Sequence, residues 1–272
     1  MRGMCLVAMS LWAVSAHASI FVNLGAAANF GVLAGSTVTN TGDSVITGDL
    51  GVSPGSSITG FSPGIVTGTI YTTGAPSYDN GAFESGAEAD LTTGYNFAAG
   101  EACPGANNLT GQNLGGLTLL PGVYCFSSSA QLTGTLTLDA MGDPNGVYVF
   151  QIASTLTTAS VSAVVFEGTD GGGNVFWQVG TSATLGTGTD LAGNILAYAG
   201  VTLNTGASID CGSALSQTGA VTLQDNAISV CAGNSIVTAT PEPRSATQIS
   251  AGIFVGLIAY GWRRMRRAAA VS

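Results

Sequence analysis

The sequence predicts a β-solenoid with one α-helix laid against it, on three observations. Thr-Leu dipeptides recur at Thr118, Thr135, Thr155, Thr184, Thr202 and Thr222, at intervals of 17, 20, 29, 18 and 20 residues. A period of roughly 20 fits one solenoid turn and is too short for a sandwich hairpin pair. Short β-branched runs are punctuated throughout by Gly and Asn, which favours strands over helices. One stretch, from Asn80 to Ala99, breaks the pattern: Ala87, Leu91, Tyr95 and Ala98 recur at helical spacing.

The elements follow in chain order. Met1-Arg2-Gly3, an apolar run from Met4 to Val14 and Ala16-His17-Ala18 have the layout of a secretory signal peptide spanning 1–18. The apolar run is too short for a transmembrane anchor. Residues 19–236 are expected to form the solenoid domain, long enough for one large core. Within it the helix covers about 82–99, ended by Gly100, with Glu84, Glu88 and Asp90 on its polar face. If Leu119, Leu136, Leu156, Leu185, Leu203 and Leu223 stack inward, the Thr before each points out, because alternate strand residues face opposite sides. Thr137-Leu138 offers a competing phase. Val147–Ile152, Val175–Val179 and Ile195–Ala197 supply further walls. The longest interval contains Gly168-Thr169-Asp170-Gly171-Gly172-Gly173, which reads as an inserted loop.

A linker, 237–248, carries Pro241-Glu242-Pro243, followed by an apolar segment and an arginine cluster over 249–267. This order resembles the PEP-CTERM sorting tail of Gram-negative bacteria. The resemblance implies recognition at Pro241, Glu242 and Pro243 by an exosortase-type enzyme, after export and removal of the leader by signal peptidase. The chain is then secreted or displayed at the cell surface. The arginines hold the apolar segment with its N-terminal side outside. Cysteine usage agrees with export: beyond Cys5, an even set remains at Cys103, Cys125, Cys211 and Cys231. Three disulfide pairings are open, of which the local one closes two short loops.

Charge narrows the function further. Between Ser19 and Thr240 there is no Lys, Arg or His. Such a domain has no imidazole base, no lysine nucleophile and no guanidinium clamp. Nucleic acid is excluded by a pI near 4.1. No metal site is expected, since there is no Cys-x-x-Cys and no His in the domain. No cofactor motif stands out: the glycine run is followed by neither Lys nor a helix start.

Several segments together resemble the β-helical ice-binding proteins of bacteria, fungi and algae. They are Phe30-Gly31-Val32-Leu33-Ala34-Gly35, Gly48-Asp49-Leu50-Gly51-Val52-Ser53-Pro54-Gly55 and Gly146-Val147-Tyr148-Val149-Phe150-Gln151. Val175-Phe176-Trp177-Gln178-Val179-Gly180 and Thr202-Leu203-Asn204-Thr205-Gly206-Ala207 complete the set. The resemblance spans roughly Asn23 to Cys231. It implies a right-handed parallel β-helix of triangular section with a long helix alongside, a monomer, and one flat face that binds ice. Thr110-Gly111-Gln112-Asn113 matches the Thr-(Ala/Gly)-x-(Thr/Asn) motif of some members. Thr187-Gly188-Thr189-Asp190 nearly matches it, and Thr205-Gly206-Ala207-Ser208 is looser. The arginine common in the last coils of relatives is replaced by Gly212-Ser213-Ala214-Leu215.

The expected ice face is the outward threonine column Thr135, Thr155, Thr157, Thr184, Thr202 and Thr222, with Thr187 and Thr205 at the adjoining corner. Two other functions compete. A surface adhesin or exopolysaccharide-matrix protein fits the export signals. A carboxylate-based glycan hydrolase would draw on Asp139, Asp143, Asp210 and Asp225, though Asp at such places is ordinarily turn-forming. No catalytic residue is assigned, and the expected reading is not an enzyme.

Overall fold

The computed structural model describes residues 20–72, 81–167 and 174–231. The expected signal peptide, inserted glycine-rich loop, Pro-Glu-Pro linker and apolar tail segment all lie outside the described residues. Within the described residues, each coil gives one strand to each of three parallel sheets: sheet A, which includes Phe30–Ala34, and sheet C, which includes Val45–Thr47, have eight strands each, and sheet B, which includes Thr37–Thr41, has seven. The short strands and the turn after nearly every one make this repeat. A run of three to five β-branched and leucine residues fills one wall, then Gly or Asn turns the corner.

The stacking is not sequential. Coils 122–139, 148–167, 175–192, 194–210 and 214–229 stack in chain order. The first coil, 30–47, then sits on the last one: Val32 pairs with Ala214, Val38 with Val221 and Val45 with Ala227. Coil 49–66 and the strand Ile70–Thr72 continue beyond it. The chain therefore starts mid-stack, builds to one end and must cross to the other before resuming. The helix Ala82–Gly100 makes that crossing. Its 19 residues reach about 28 Å, most of the roughly 34 Å between the two edge strands of the eight-stranded sheet on which it lies.

The helix lies on sheet A and buries Ala87, Leu91, Gly94 and Ala98. Sheet A answers with Leu33, Val149, Phe176, Leu196 and Leu215, so its strands are buried on both faces. The N-terminal segment packs on the helix from another side. A Cβ at Gly94 would lie 2.7 Å from Leu24 Cδ2, so only glycine allows this approach. The Gln151 side chain donates to the carbonyls of Ala98 (2.8 Å) and Glu101 (2.7 Å), which closes the open C-terminal end of the helix. The expected polar face is corrected here. Glu84 is buried and lies on the apolar stripe, three residues before Ala87. Asp90 accepts a hydrogen bond from Ala26 N–H at 2.8 Å. With sheet A on one side and the N-terminal segment on another, less of the helix is left for solvent than a surface helix would have.

Inside the solenoid, leucines and valines of all three sheets share one core. Tyr124, Phe150 and Trp177 stack through three successive coils, and Trp177 Nε1–H donates to the Ala192 carbonyl at 3.0 Å. The cysteines take the local pairing, Cys103–Cys125 and Cys211–Cys231. The first ties the chain after the helix to the edge strand of sheet A. The second ties the last described residue to the end of a sheet C strand.

Each B-to-C corner turns through a left-handed residue. Glycine fills this place at Gly134, Gly188, Gly206, Gly42 and Gly60, but Asp225 holds it in coil 214–229 at φ 51° and Val161 in coil 148–167 at φ 57°. A β-branched residue is strained there, and Val161 is 79% exposed, so its side chain offsets little of the cost. Val161→Gly is expected to raise stability by about 1 kcal/mol, or about 2–4 °C in melting temperature. Thermal unfolding followed by circular dichroism checks this; an unchanged or lower midpoint counts against strain at that corner.

Candidate functional site

With sheet A covered by the helix, sheets B and C are the two broad faces left uncovered. They differ in chemistry. Along the outward positions of sheet C run Asp139, Glu167, Asp190 and Asp210, interspersed with the exposed apolar side chains Val45, Ile65 and Val165. Burial, and then the neighbouring Asp190 carboxylate, push the Asp210 carboxyl above the ordinary carboxylate range. No ordered pattern repeats from coil to coil on this sheet.

Sheet B is uncharged across its strands and regular. Its central row is Gln131, Thr157, Thr184, Thr202, Thr222, Thr39 and Thr59, each hydrogen-bond-ladder neighbour in register with the next. The isolated bridge from Asn113 to Gln131 carries the row one position further. There the Asn113 side chain stands in for a missing strand: its Oδ1 accepts from Thr133 N–H at 2.8 Å and its Nδ2 donates to the Thr133 carbonyl at 3.1 Å. The matched Thr110-Gly111-Gln112-Asn113 segment thus caps the sheet edge. Thr110 Oγ1 also accepts from Ser127 N–H at 2.8 Å.

Six threonines of one row thus stand about 4.8 Å apart, and the row runs about 29 Å from Gln131 to Thr59. Flanking it, two residues earlier on each strand, is an outer row: Ser129, Thr155, Ser182, Gly200, Ala220, Thr37 and Ser57. Thr155 Oγ1 donates to Ser129 Oγ at 2.8 Å. The two rows are separated by about 6.6 Å, two residue rises along a strand. At the B-to-C corner, Gly188 N–H bonds to the Thr205 carbonyl and Gly206 N–H to the Gln224 carbonyl, which stacks the exposed Thr187 and Thr205.

The eight expected threonines are therefore divided. Thr157, Thr184, Thr202 and Thr222 form one row, Thr155 belongs to the outer row, and Thr187 and Thr205 are at the corner. Thr135 is on sheet C, in register with Ala163. The expected leucine stack is corrected for the same reason. Leu119 and Leu136 belong to sheet C, where Leu119 pairs with Leu138, so the competing Thr137-Leu138 phase is the one that stacks on Thr118-Leu119. Leu156 pairs with Ala183 rather than Leu185, a shift of two residues that keeps the same side facing inward. Thr39 and Thr59 were missed. Thr37-Val38-Thr39-Asn40-Thr41 alternates in the manner of a half-buried strand, but nothing local says that it stacks on residues 221–224.

Three of the four acids of the rival hydrolase reading are held by backbone N–H groups, two of them in local turns and Asp225 across to a neighbouring coil. Asp139 Oδ1 accepts from Met141 N–H, Asp143 Oδ1 from Asn145 N–H and Asp225 Oδ1 from Asp43 N–H, each at 2.8–2.9 Å. Among the described residues no cluster of three metal-ligating side chains occurs.

Comparison with known proteins agrees with the face chemistry. The family model described as Ice-binding-like matches residues 32–229. An ice-binding protein of Nostoc sp. (strain HG1) is 52% identical over 180 residues, which cover 66% of this chain and 63% of that one. An ice-binding protein of Flavobacterium frigoris (strain PS1) is 36% identical over 162 residues, 58% of each. The chain thus spans about three fifths of the length of these two relatives. Among solved structures, an ice-binding protein from an Antarctic biological consortium superposes with a TM-score of 0.72 at 42% identity, covering 82% of this chain and 96% of that one. One from the Antarctic ascomycete Antarctomyces psychrotrophicus gives 0.71 at 41% identity, covering 77% and 98%. The family and these relatives are ice-binding proteins rather than enzymes, and the chain belongs to the ice-binding-like family.

Proposed function

We propose that this protein adsorbs to ice through sheet B and thereby limits ice growth or recrystallisation. The observation that carries the reading is the in-register row from Thr157 to Thr59 on the uncovered face without charge. Ice presents neutral water in a repeating lattice and offers no charge to grip. A binder must offer hydroxyls and apolar gaps at a fixed spacing over a plane. Threonine supplies both, since its hydroxyl donates and accepts and its methyl fills the space between. Its stiff χ1 means that little rotamer freedom is lost on docking. The β-solenoid adds the plane, because hydrogen bonds along the stack fix the strand spacing. Sheet C is the weaker candidate: its carboxylates hold liquid water strongly.

We read the ends of the chain as its address. The signal-peptide layout at 1–18 and the Pro241-Glu242-Pro243 tail support export and surface display by a Gram-negative cell, with release or retention decided by processing of the tail. The domain is read as acting as a monomer.

Partition into a slowly growing ice hemisphere tests this function. The protein is expected to enter the ice phase and to produce thermal hysteresis. Exclusion from ice by a protein with an intact β-type circular dichroism spectrum counts against it.

A further inference from the structure

The outer row of sheet B is broken where the central row is whole. Hydroxyls stand at Ser182 on one side and at Thr37 on the other, but Gly200 and Ala220 between them have none. Ser182 and Thr37 are three strand spacings apart, about 14 Å, against about 4.8 Å elsewhere in the row. The backbone does not fill the gap. Gly200 C=O accepts from Ala183 N–H at 2.9 Å and Ala220 C=O from Val201 N–H at 3.0 Å, so both carbonyls are spent within the sheet. Ala220 and Gly200 are half-exposed, and the central threonines Thr202 and Thr222 beside them remain in place.

Resting on sheet B as the ice face, we propose that Ala220 is the residue that limits its activity. The interruption divides the outer row into two short hydroxyl patches, one from Ser129 to Ser182 and one from Thr37 to Ser57. Ordered water held by one patch is not handed on to the other. Over coils 194–210 and 214–229 this flank of the face then offers no hydroxyl, although the central row beside it is unbroken. Ala220 is the position where the row can be rejoined. It already carries a Cβ, and a threonine there stands one strand from Thr37 and two residues from Thr222. Gly200 is less suited, because a Cβ there meets the Ala220 carbonyl oxygen at 3.0 Å.

The test compares Ala220→Thr, Ala220→Ser, Thr37→Ala and Ala227→Thr with the wild-type protein at equal concentration. Ala227 is exposed on sheet C and serves as the same class of change on another face. Ala220→Thr is expected to raise thermal hysteresis about twofold, which corresponds to about 0.4 kcal/mol. Ala220→Ser gives a smaller rise, Thr37→Ala widens the gap and lowers activity, and Ala227→Thr changes nothing. Melting temperature and circular dichroism identify any variant that fails to fold, and Thr37→Ala and Ala220→Ser keep the question open to refutation if Ala220→Thr does. Folded Ala220 variants with unchanged or reduced hysteresis overturn the role of the gap. An equal rise in Ala227→Thr overturns it as well. Absence of any activity in the wild-type protein would instead remove the ice-binding reading on which the proposal stands.

Discussion

Thr184→Tyr is expected to lower thermal hysteresis by about tenfold or more while the domain remains folded, the scale of losing a central contact worth about 1.4 kcal/mol. Thr184 lies in the middle of the sheet B row, with Thr157 on one side and Thr202 on the other. A phenol ring there stands above the plane and holds both neighbours away from ice, so the loss exceeds that of one hydroxyl. The fold tolerates the change because Thr184 points outward and its strand bonds are made by the backbone. Thr202→Tyr is expected to behave alike. Thr135→Tyr supplies the contrast: Thr135 is on sheet C, and its replacement should leave hysteresis unchanged. Equal loss in Thr135→Tyr, or full activity in both sheet B variants with unaltered circular dichroism, would place the ice contact on another face.

The second large effect concerns pH. Burial raises the Glu88 carboxyl from its ordinary 4.5 to about 8, and its Oε1 has no hydrogen-bond partner among the described residues. The folded state therefore holds this proton more tightly than the unfolded chain does. Stability from this group is fully present below about pH 4.5 and declines as pH rises towards 8, the reverse of a salt-bridged carboxylate. Asp210, raised by burial and by Asp190, acts in the same direction. The domain should be more stable at pH 5 than at pH 8. Glu88→Gln should remove most of that slope and raise stability near pH 8 by about 2 kcal/mol; this is less than the full shift implies, because water reaches part of the side chain. Denaturant unfolding at both pH values measures it. A wild-type midpoint that rises from pH 5 to pH 8 contradicts the burial argument.

Most of the architecture was legible because it is local. The spacing of Thr-Leu pairs gave the coil length, and the run from Ala87 to Ala98 marked the helix to within a residue of its observed bounds. Thr187 and Thr205 were placed at their corner by the turn residues that follow them. Phase was harder. Thr-Leu occurs on sheet C at Thr118 and Thr135 as well as on sheet B, and β propensity writes the same letters on both faces. The contribution of Thr39 and Thr59 was hidden for another reason. Strand Thr37–Thr41 joins sheet B by pairing with a strand more than 180 residues away, at Val221 and Thr222. No periodicity along the chain encodes that closure, which depends on the helix carrying the chain from one end of the stack to the other. Glu84 was a simpler miss, since counting back from Ala87 puts it on the buried stripe.

The places where the described chain begins and ends have their own consequence. Ile20 packs with the cluster between helix and sheet A, and Cys231 is held by Cys211 beyond the strands of sheet C, on the way to sheet A. Neither end approaches the strands of sheet B. A partner joined directly at Ile20 or at Cys231 therefore starts from the helix side or from the rim of sheet C. If sheet B is the adsorbing face, attachment at either of these two residues leaves its plane as usable as in a free copy.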